Sequence, residues 1–483
     1  MNSSVPSTAR EAMSSQRRGG ARSRVAERGK RQNVQSDSPS RQVQEVSREV
    51  SRAGWRVVAA TLADQPAIFQ FLVGVFRQPS PAEFQAQLED PAYDPADRLV
   101  IKSGARIVAH LRLLRREMQF GGRVLPVGLV ADVATLPEYR AQGCATALLS
   151  AARQVLVQRG AVLGVLRTDQ PRFYARRGWV VCGRHSYAAA GPREILSCLH
   201  QREAEQVRGT GFPLPPSCRK RYNIRLWRQM EQAALTRLYN ENTRQAYGTL
   251  VRTEAYWQWL IRRGGNERVY VAIDGPDRIE LDDCLAPIIG YATTRQGRIV
   301  EMMCAREHPE ASIQLLARAC GEAIERDFHR VRVDAPPGDP LHALLLAAGG
   351  SHCCHEADAG MVFMASLLQP RRFLQLIGHH LIQRVAAAGL PRPCQLGFLI
   401  DDEKYRLVIR RHQLQWIRGT LGRSYLRCSS YDLTQLLLGH LDVHEAVASG
   451  RLAVSTHLAL DTAAALLPRL PFWRPPWDDL PAG

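Results

Sequence analysis

From Trp55 onward, short runs of Val, Ile and Leu alternate with longer segments whose apolar residues recur every three or four positions. "WRVVAATL" predicts a strand. "ADQPAIFQFLVGVF" has helical spacing, with Asp64 and Pro66 placed as at a helix start. "RLVIKSG", "ARIVAHLRLLRREMQF" and "GRVLPVGLVADVAT" predict three strands joined at Gly104 and at Gly121-Gly122. A helix is expected from about Thr146 to Arg159, then a strand, "AVLGVLRT". "QPRFYARRGWVVCG" predicts a short helix and a further strand. The order β-α-β-β-β-α-β-α-β over residues 53–190 describes an α+β unit with a mixed sheet.

Residues 191–217, including "GTGFPLPPSC", read as a linker. Residues 218–367 then repeat the order: a helix, hairpin strands, a long helix over about Ala311–Phe328, a strand, a helix. This predicts a second copy of the first architecture. Residues 368–483 predict a third, α/β unit. It begins with the amphipathic "RRFLQLIGHHLIQRVAAAG", continues with two strands about an Asp401–Glu403 turn, and ends in further helices. The terminal "PFWRPPWDDLPAG" is too rich in proline for regular structure.

Composition changes this picture at one place. Residues 1–52 hold eleven Arg and Lys against five Asp and Glu and almost no large apolar side chains. Such a stretch cannot bury enough surface to offset its chain entropy, so a disordered basic tail is expected. No aromatic residue precedes Trp55, which removes base stacking and disfavours nucleic acid as a partner. No apolar run approaches the roughly 18 residues of a membrane span, so no membrane partner is expected. The eleven cysteines lie singly except Cys353 and Cys354, so a reducing cytoplasm is the expected setting. "HCCH" at His352–His355 is too compact for one tetrahedral metal, and no metal is expected.

The chemistry gathers at "PEYRAQGCATALL", Pro137–Leu149. A helix leaves its first amides without internal partners, and with the macrodipole these favour an anion. Gly143 lets a phosphate approach the backbone, Arg140 adds charge, and Ala145 and Thr146 leave room. Arg140-Ala141-Gln142-Gly143-Cys144-Ala145 matches the Arg/Gln-x-x-Gly-x-Gly/Ala phosphate motif. On that motif, and on the strand and apolar helix around it, residues 55–190 resemble the GCN5-related N-acetyltransferase (GNAT) family.

The resemblance implies that the loop from Arg140 to Thr146 holds the pyrophosphate of acetyl-CoA. It implies that Val133, Ala134 and Thr135 pair with the pantetheine arm as an added strand would. Tyr174, in "RFYARRGW", then stands where the family has a tyrosine that protonates the departing thiolate. A strand amide near Val133 would support the oxyanion. The general base stays open, since alternation would turn Asp132 away from Val133 and Glu138 reads as a solvated charge.

The three-unit order resembles Eis-type acetyltransferases, which implies tandem GNAT folds followed by a sterol-carrier-protein-like domain. In the second copy, "AREHPEASIQLL" has no glycine before its long helix, so that copy is expected to be degenerate and to wall the acceptor cleft. The same resemblance implies the terminal carboxylate, here Gly483, as the amine's proton acceptor, with Asp478 and Asp479 as local alternatives. Either would give the acceptor end negative charge, which suits a cationic amine. The expected activity is transfer of acetyl from acetyl-CoA to a primary amine, on a small molecule or a lysine side chain. A homo-oligomer is left open. The alternatives are a lipid carrier using the third unit and a nucleic-acid-associated protein using the basic tail.

Overall fold

The computed structural model describes residues 54–209, 220–276, 287–354 and 362–479. The basic tail, part of the 191–217 linker and Gly483 lie outside them.

The chain opens with β1 (Val57–Ala59), α1 (Gln65–Phe76) and α2 (Pro81–Leu88), the last started by reciprocal Ser80 and Glu83 caps. Then come β2 (Arg98–Ser103), β3 (Arg106–Phe120) and β4 (Arg123–Thr135), the hairpins expected at Gly104 and Gly121-Gly122. They are followed by α3 (Cys144–Gln158), β5 (Leu163–Thr168), the short α4 (Pro171–Ala175), β6 (Val180–Arg184) and β7 (Ser186–Ala190). α3 starts two residues earlier than the sequence pattern suggested. It lies close on β4 because Gly128 has no side chain: a Cβ there would meet Leu156 Cδ2 at 2.1 Å.

The next stretch runs α5 (Pro192–Gly209), β8 (Asn223–Leu226), α6 (Gln232–Thr243), β9 (Tyr247–Leu250), α7 (Glu254–Arg262) and β10 (Arg268–Ile273). β11 (Ile288–Arg295), β12 (Arg298–Cys304), α8 (Glu310–Glu325), β13 (Val331–Asp334), α9 (Pro340–Ala347), β14 (Ser351–Cys354) and β15 (Val362–Leu367) complete it. The expected linker is therefore helical over its described part. Its amphipathic residues Ile195 and Leu199 are buried in the core beneath the second sheet.

Two sheet assignments correct the sequence boundaries. β7 does not stay with the first sheet but lies between β13 and β14 of the second. β15 does not stay with the second sheet but lies between β5 and β6 of the first, antiparallel to both. The two halves thus exchange their last strands, so cuts at 190 and 367 do not separate the sheets. β9 also crosses over and pairs with the end of β3.

The third unit holds α10 (Pro370–Leu376), α11 (Gly378–Ala387), β16 (Cys394–Ile400), β17 (Glu403–Ile409), β18 (Leu414–Arg418) and β19 (Tyr425–Cys428). α12 (Ser430–Leu437), α13 (Val443–Ala448), β20 (Ala453–Val454) and α14 (His457–Leu466) follow. Its strands are ordered β18-β17-β16-β19-β20, three strands more than the two that the sequence reading placed. This sheet does not stand apart. Phe398, Leu407 and Leu436 share one core with Phe120, Val165 and Phe363 of the first sheet, and Gln435 Nε2 donates to the Val181 carbonyl at 2.9 Å.

Candidate active site

β4 and β5 run parallel but are joined only from Val127–Leu163 to Leu129–Val165. Beyond that point they part. The cause is visible on the other side of β4, where Asp132 and Val133 stand opposite the single residue Leu111 of β3. Asp132 sits at φ +52°, a bulge conformation that breaks strand alternation and bends β4 away from β5. His110 holds the bulge, its Nδ1 2.9 Å from the Asp132 carbonyl. Burial, then the neighbouring Arg98, pushes the His110 imidazole down to about 3, so it is neutral and its Nδ1–H donates to that carbonyl.

The bulge changes what Asp132 does. Its side chain is not simply turned away; it meets Arg112 Nε at 2.7 Å on the cleft wall. Burial would raise its carboxyl, but the charges of Arg112 and Arg98 outweigh it and hold it below the ordinary carboxylate range. Glu138 pairs instead with Arg106 at 2.9 Å, both well exposed.

The parted strands open onto a cleft of about 1380 Å³. Every expected cofactor-binding residue lines it except Gln142. The Gln142 carbonyl accepts from Trp55 Nε1 at 2.7 Å and its side chain donates to the Glu138 carbonyl at 2.9 Å, so it braces the loop from outside. Gly143 caps α3 at φ 85° and ψ 0°, a left-handed conformation that favours glycine. The amides of Cys144, Ala145 and Thr146 follow it and have no carbonyl one turn back. Arg140 is exposed on the cleft rim, and among the described residues it bonds only the Thr135 carbonyl, at 3.3 Å. Uncommitted amides, a glycine cap and an arginine with no carboxylate partner among the described residues are the donor set that an anionic diphosphate fits.

Tyr174 lies on α4, against Phe173 and Trp179 at ring-centroid distances of 4.9 and 6.3 Å. Burial pushes its phenol up to about 12, so the group keeps its proton throughout neutral pH. One residue escaped the sequence reading. Arg177 stacks over Phe173 at 3.9 Å, and its Nε donates to Thr146 Oγ1 at 3.0 Å, in the first turn of α3. The paired arginines in "YARRGW" were the available signal.

The far end of the cleft is closed by the second half and by the chain's last described turn, Pro476–Asp479. Neither Asp478 nor Asp479 brings a free negative charge to it, and Gly483 lies outside the described residues. Asp478 is taken by the buried Arg252, while Asp479 meets Arg167 and Arg474, each at 2.7 Å. Burial alone would raise the Asp479 carboxyl, but the two arginines hold it low. In the second sheet the corresponding strands, β12 and β13, are joined only at Arg298–Arg332 and Ile299–Val333. The helix after them, α8, begins on Pro309 and Glu310 and carries no glycine cap. An acidic first turn opposes a phosphate rather than attracting one.

Residues 56–182 match the family model described as an acetyltransferase (GNAT) domain. The chain carries a GNAT acetyltransferase domain. A GCN5-related N-acetyltransferase from Anabaena variabilis is similar in structure, with TM-score 0.65 and 17% identity over 87% of this chain and 99% of its own. One from Kribbella flavida gives TM-score 0.63 and 16% identity over 87% and 97%. Eis1 from Mycobacterium abscessus gives TM-score 0.55 and 14% identity over 86% and 97%. At these identities the likeness is one of fold, and it extends well beyond the GNAT domain into the second and third units. An acyltransferase is the enzyme class to which the GNAT domain assigns the chain.

Proposed function

We propose that the chain moves an acetyl group from acetyl-CoA to a primary amine by direct attack, within the cleft between β4 and β5. The observation that carries this reading is the parting of those strands directly above the Gly143-capped helix. Beyond Leu129, β4 offers backbone donors and acceptors that β5 does not use, and an extended pantetheine arm fits there as an added strand. Arg140 and the α3 amides would hold the pyrophosphate. Acetyl-CoA supplies an activated thioester. Tyr174, still protonated, donates to the departing sulfur, and a β4 amide near Val133 supports the negative charge on the carbonyl oxygen.

Asp132 and Asp479 are both held low by arginines, so we assign the amine's proton to water rather than to either carboxylate. They orient the wall instead. Gly483, the base implied by resemblance, lies outside the described residues.

The carrier reading is less favoured on one observation. The apolar interior of the third unit, between Phe398, Trp416 and Leu437, leaves a cavity of about 10 Å³. That is about the space of one water, not of a lipid.

The test is calorimetric titration of acetyl-CoA into the wild type, Arg140→Ala and Gly143→Glu. Arg140→Ala should weaken binding about tenfold, the loss of a charge-assisted contact. Gly143→Glu should abolish it, through backbone strain and a misplaced negative charge. Wild-type affinity in Gly143→Glu would sink the reading. A screen of amines with thiol detection then identifies the acceptor.

A further inference from the structure

The second half brings to the cleft a cation that forms no ion pair among the described residues. Arg263 directly follows α7 and lines the cleft together with Tyr256 and Trp259 of that helix. Its guanidinium lies over the Trp259 ring, 4.6 Å from the centroid, and its Nη2 donates to the Trp477 carbonyl. Trp259 is anchored in turn, its Nε1 donating to the Ala86 carbonyl of α2 at 2.7 Å. Arg263 is therefore held where α2, α7 and the last described turn meet. Its Nε is buried without a hydrogen-bond partner, and among the described residues its Nη1 has none either.

The acids around it are already committed. Asp478 is bound by Arg252 and accepts from the Tyr256 hydroxyl at 3.2 Å. Asp479 lies between Arg167 and Arg474. Glu83, on the α2 wall, accepts from the Ser80 amide at 2.6 Å. Burial pushes the Arg263 guanidinium down from its usual range, although Tyr256, Asp478 and Asp479 pull it upward. An arginine still keeps its charge there, and the desolvation of an unpaired charge is costly. A carboxylate seated on its planar fork relieves that cost.

The transfer end has the opposite character. Asp169, in the turn between β5 and α4, lines the cleft, is exposed and forms no ion pair among the described residues. After burial, its charge adds to the rise of the Tyr174 phenol, so it acts close to the group that faces the thioester. A free negative charge thus lies beside Tyr174 and a free positive one on the wall from the second half. A diamine would set its second ammonium against Arg263. An amine that carries an acid satisfies both ends.

We propose that the acceptor is an aminocarboxylate, of the free amino acid kind, whose carboxylate seats on Arg263 while Asp169 draws its ammonium toward Tyr174. This rests on the reading that acetyl passes from acetyl-CoA to an amine in this cleft. The ammonium first loses a proton to water. The amine then bonds the acetyl carbon, the C–S bond breaks, and the sulfur leaves as the thiol with the Tyr174 proton. The proton shed by the new amide returns to Tyr174 through water.

The test is thiol release with glycine, β-alanine and lysine, each against its own amide, which keeps the size and removes the carboxylate charge. The wild type should favour at least one acid over its amide by about tenfold in kcat/KM, the worth of a charge-assisted contact. Arg263→Gln should lose that preference through a higher KM for the acid, with the rate on the amide unchanged. Arg263→Lys, which keeps the charge, should retain part of it. No preference in the wild type overturns the proposal, and so does a preference that survives Arg263→Gln. An equal loss for acid and amide in Arg263→Gln overturns it too, as a merely structural role. Phosphoethanolamine preferred over every carboxylate would make the anion a phosphate and overturn it as stated. If acetyl-CoA binds but none of these amines accepts acetyl, this proposal alone falls. If acetyl-CoA does not bind, the acetyl-CoA reading falls and takes this one with it.

Discussion

Arg252 and Asp478 form a fully buried two-contact pair: Arg252 Nε meets Asp478 Oδ1 and Nη2 meets Oδ2, each at 3.0 Å. The same guanidinium also grips Glu301 at 2.9 and 2.6 Å and lies between Tyr239 and Trp257. It ties the last described turn to β12 and to the loop after β9. Removing it leaves two carboxylates buried without a counter-charge. Arg252→Leu should cost about 3–5 kcal/mol in urea unfolding, the usual penalty for breaking a buried pair. Adding Glu301→Gln and Asp478→Asn should restore part of it. A single variant as stable as the wild type would show that the network is not needed.

Tyr174 stands in the cleft with its phenol still protonated at every ordinary assay pH. Tyr174→Phe should lower turnover about a hundredfold, the low end for losing a positioned acid. The KM for acetyl-CoA should hardly move, because no phosphate contact is lost. Unchanged turnover would remove Tyr174 from the mechanism.

His110 makes stability depend on pH. Its ring, ordinarily near 6.5, is held down to about 3 in the fold. The folded value lies below the unfolded one, so the unfolded chain binds the extra proton first as pH falls. This stabilisation is complete above pH 6.5 and is lost progressively toward pH 3, at about 1.4 kcal/mol per pH unit. His110→Gln keeps a donor for the Asp132 carbonyl but cannot titrate. Urea midpoints at pH 7 and pH 4.5 should therefore differ less in His110→Gln than in the wild type. Equal acid sensitivity would show that other groups carry the effect.

The strand exchange sets what can be cut. A fragment of residues 54–209 keeps β1 to β7 but lacks β15, the only strand that pairs with β6 among the described residues. It should show no cooperative thermal transition alone and should recover one when co-expressed with residues 210–483. A sharp transition in the isolated fragment would mean that β5 and β6 can close on each other.

What could be read from the sequence was local. Pro137–Leu149 carries its own instructions: a glycine at a helix mouth, an arginine before it and an apolar face after it. The three long strands of the first sheet and their hairpins were likewise written in β-branched runs and glycines. Partner choice was not. β7 and β15 are both short apolar strands, and nothing in "SYAAA" or "VFMASL" states which sheet receives it. The bulge at Asp132 was hidden because alternation assumes an unbroken ladder. Arg252, Glu301 and Asp478 were hidden because their contacts span up to 226 residues of chain. The pairing of Asp478 and Asp479 has the same origin: these acids were visible, and the arginines that meet them are remote.

The exchanged strands also impose an order on synthesis. β5 is complete at Thr168, but β15, its neighbour, begins only at Val362, roughly 190 residues later. At roughly 5–20 residues per second a ribosome needs about ten to forty seconds to cover that distance. Through that interval the edge of β5 turned away from the cleft is an open hydrogen-bonding template, the kind of edge that invites a wrong partner. The first sheet of the nascent chain is therefore incomplete until the second half delivers that strand.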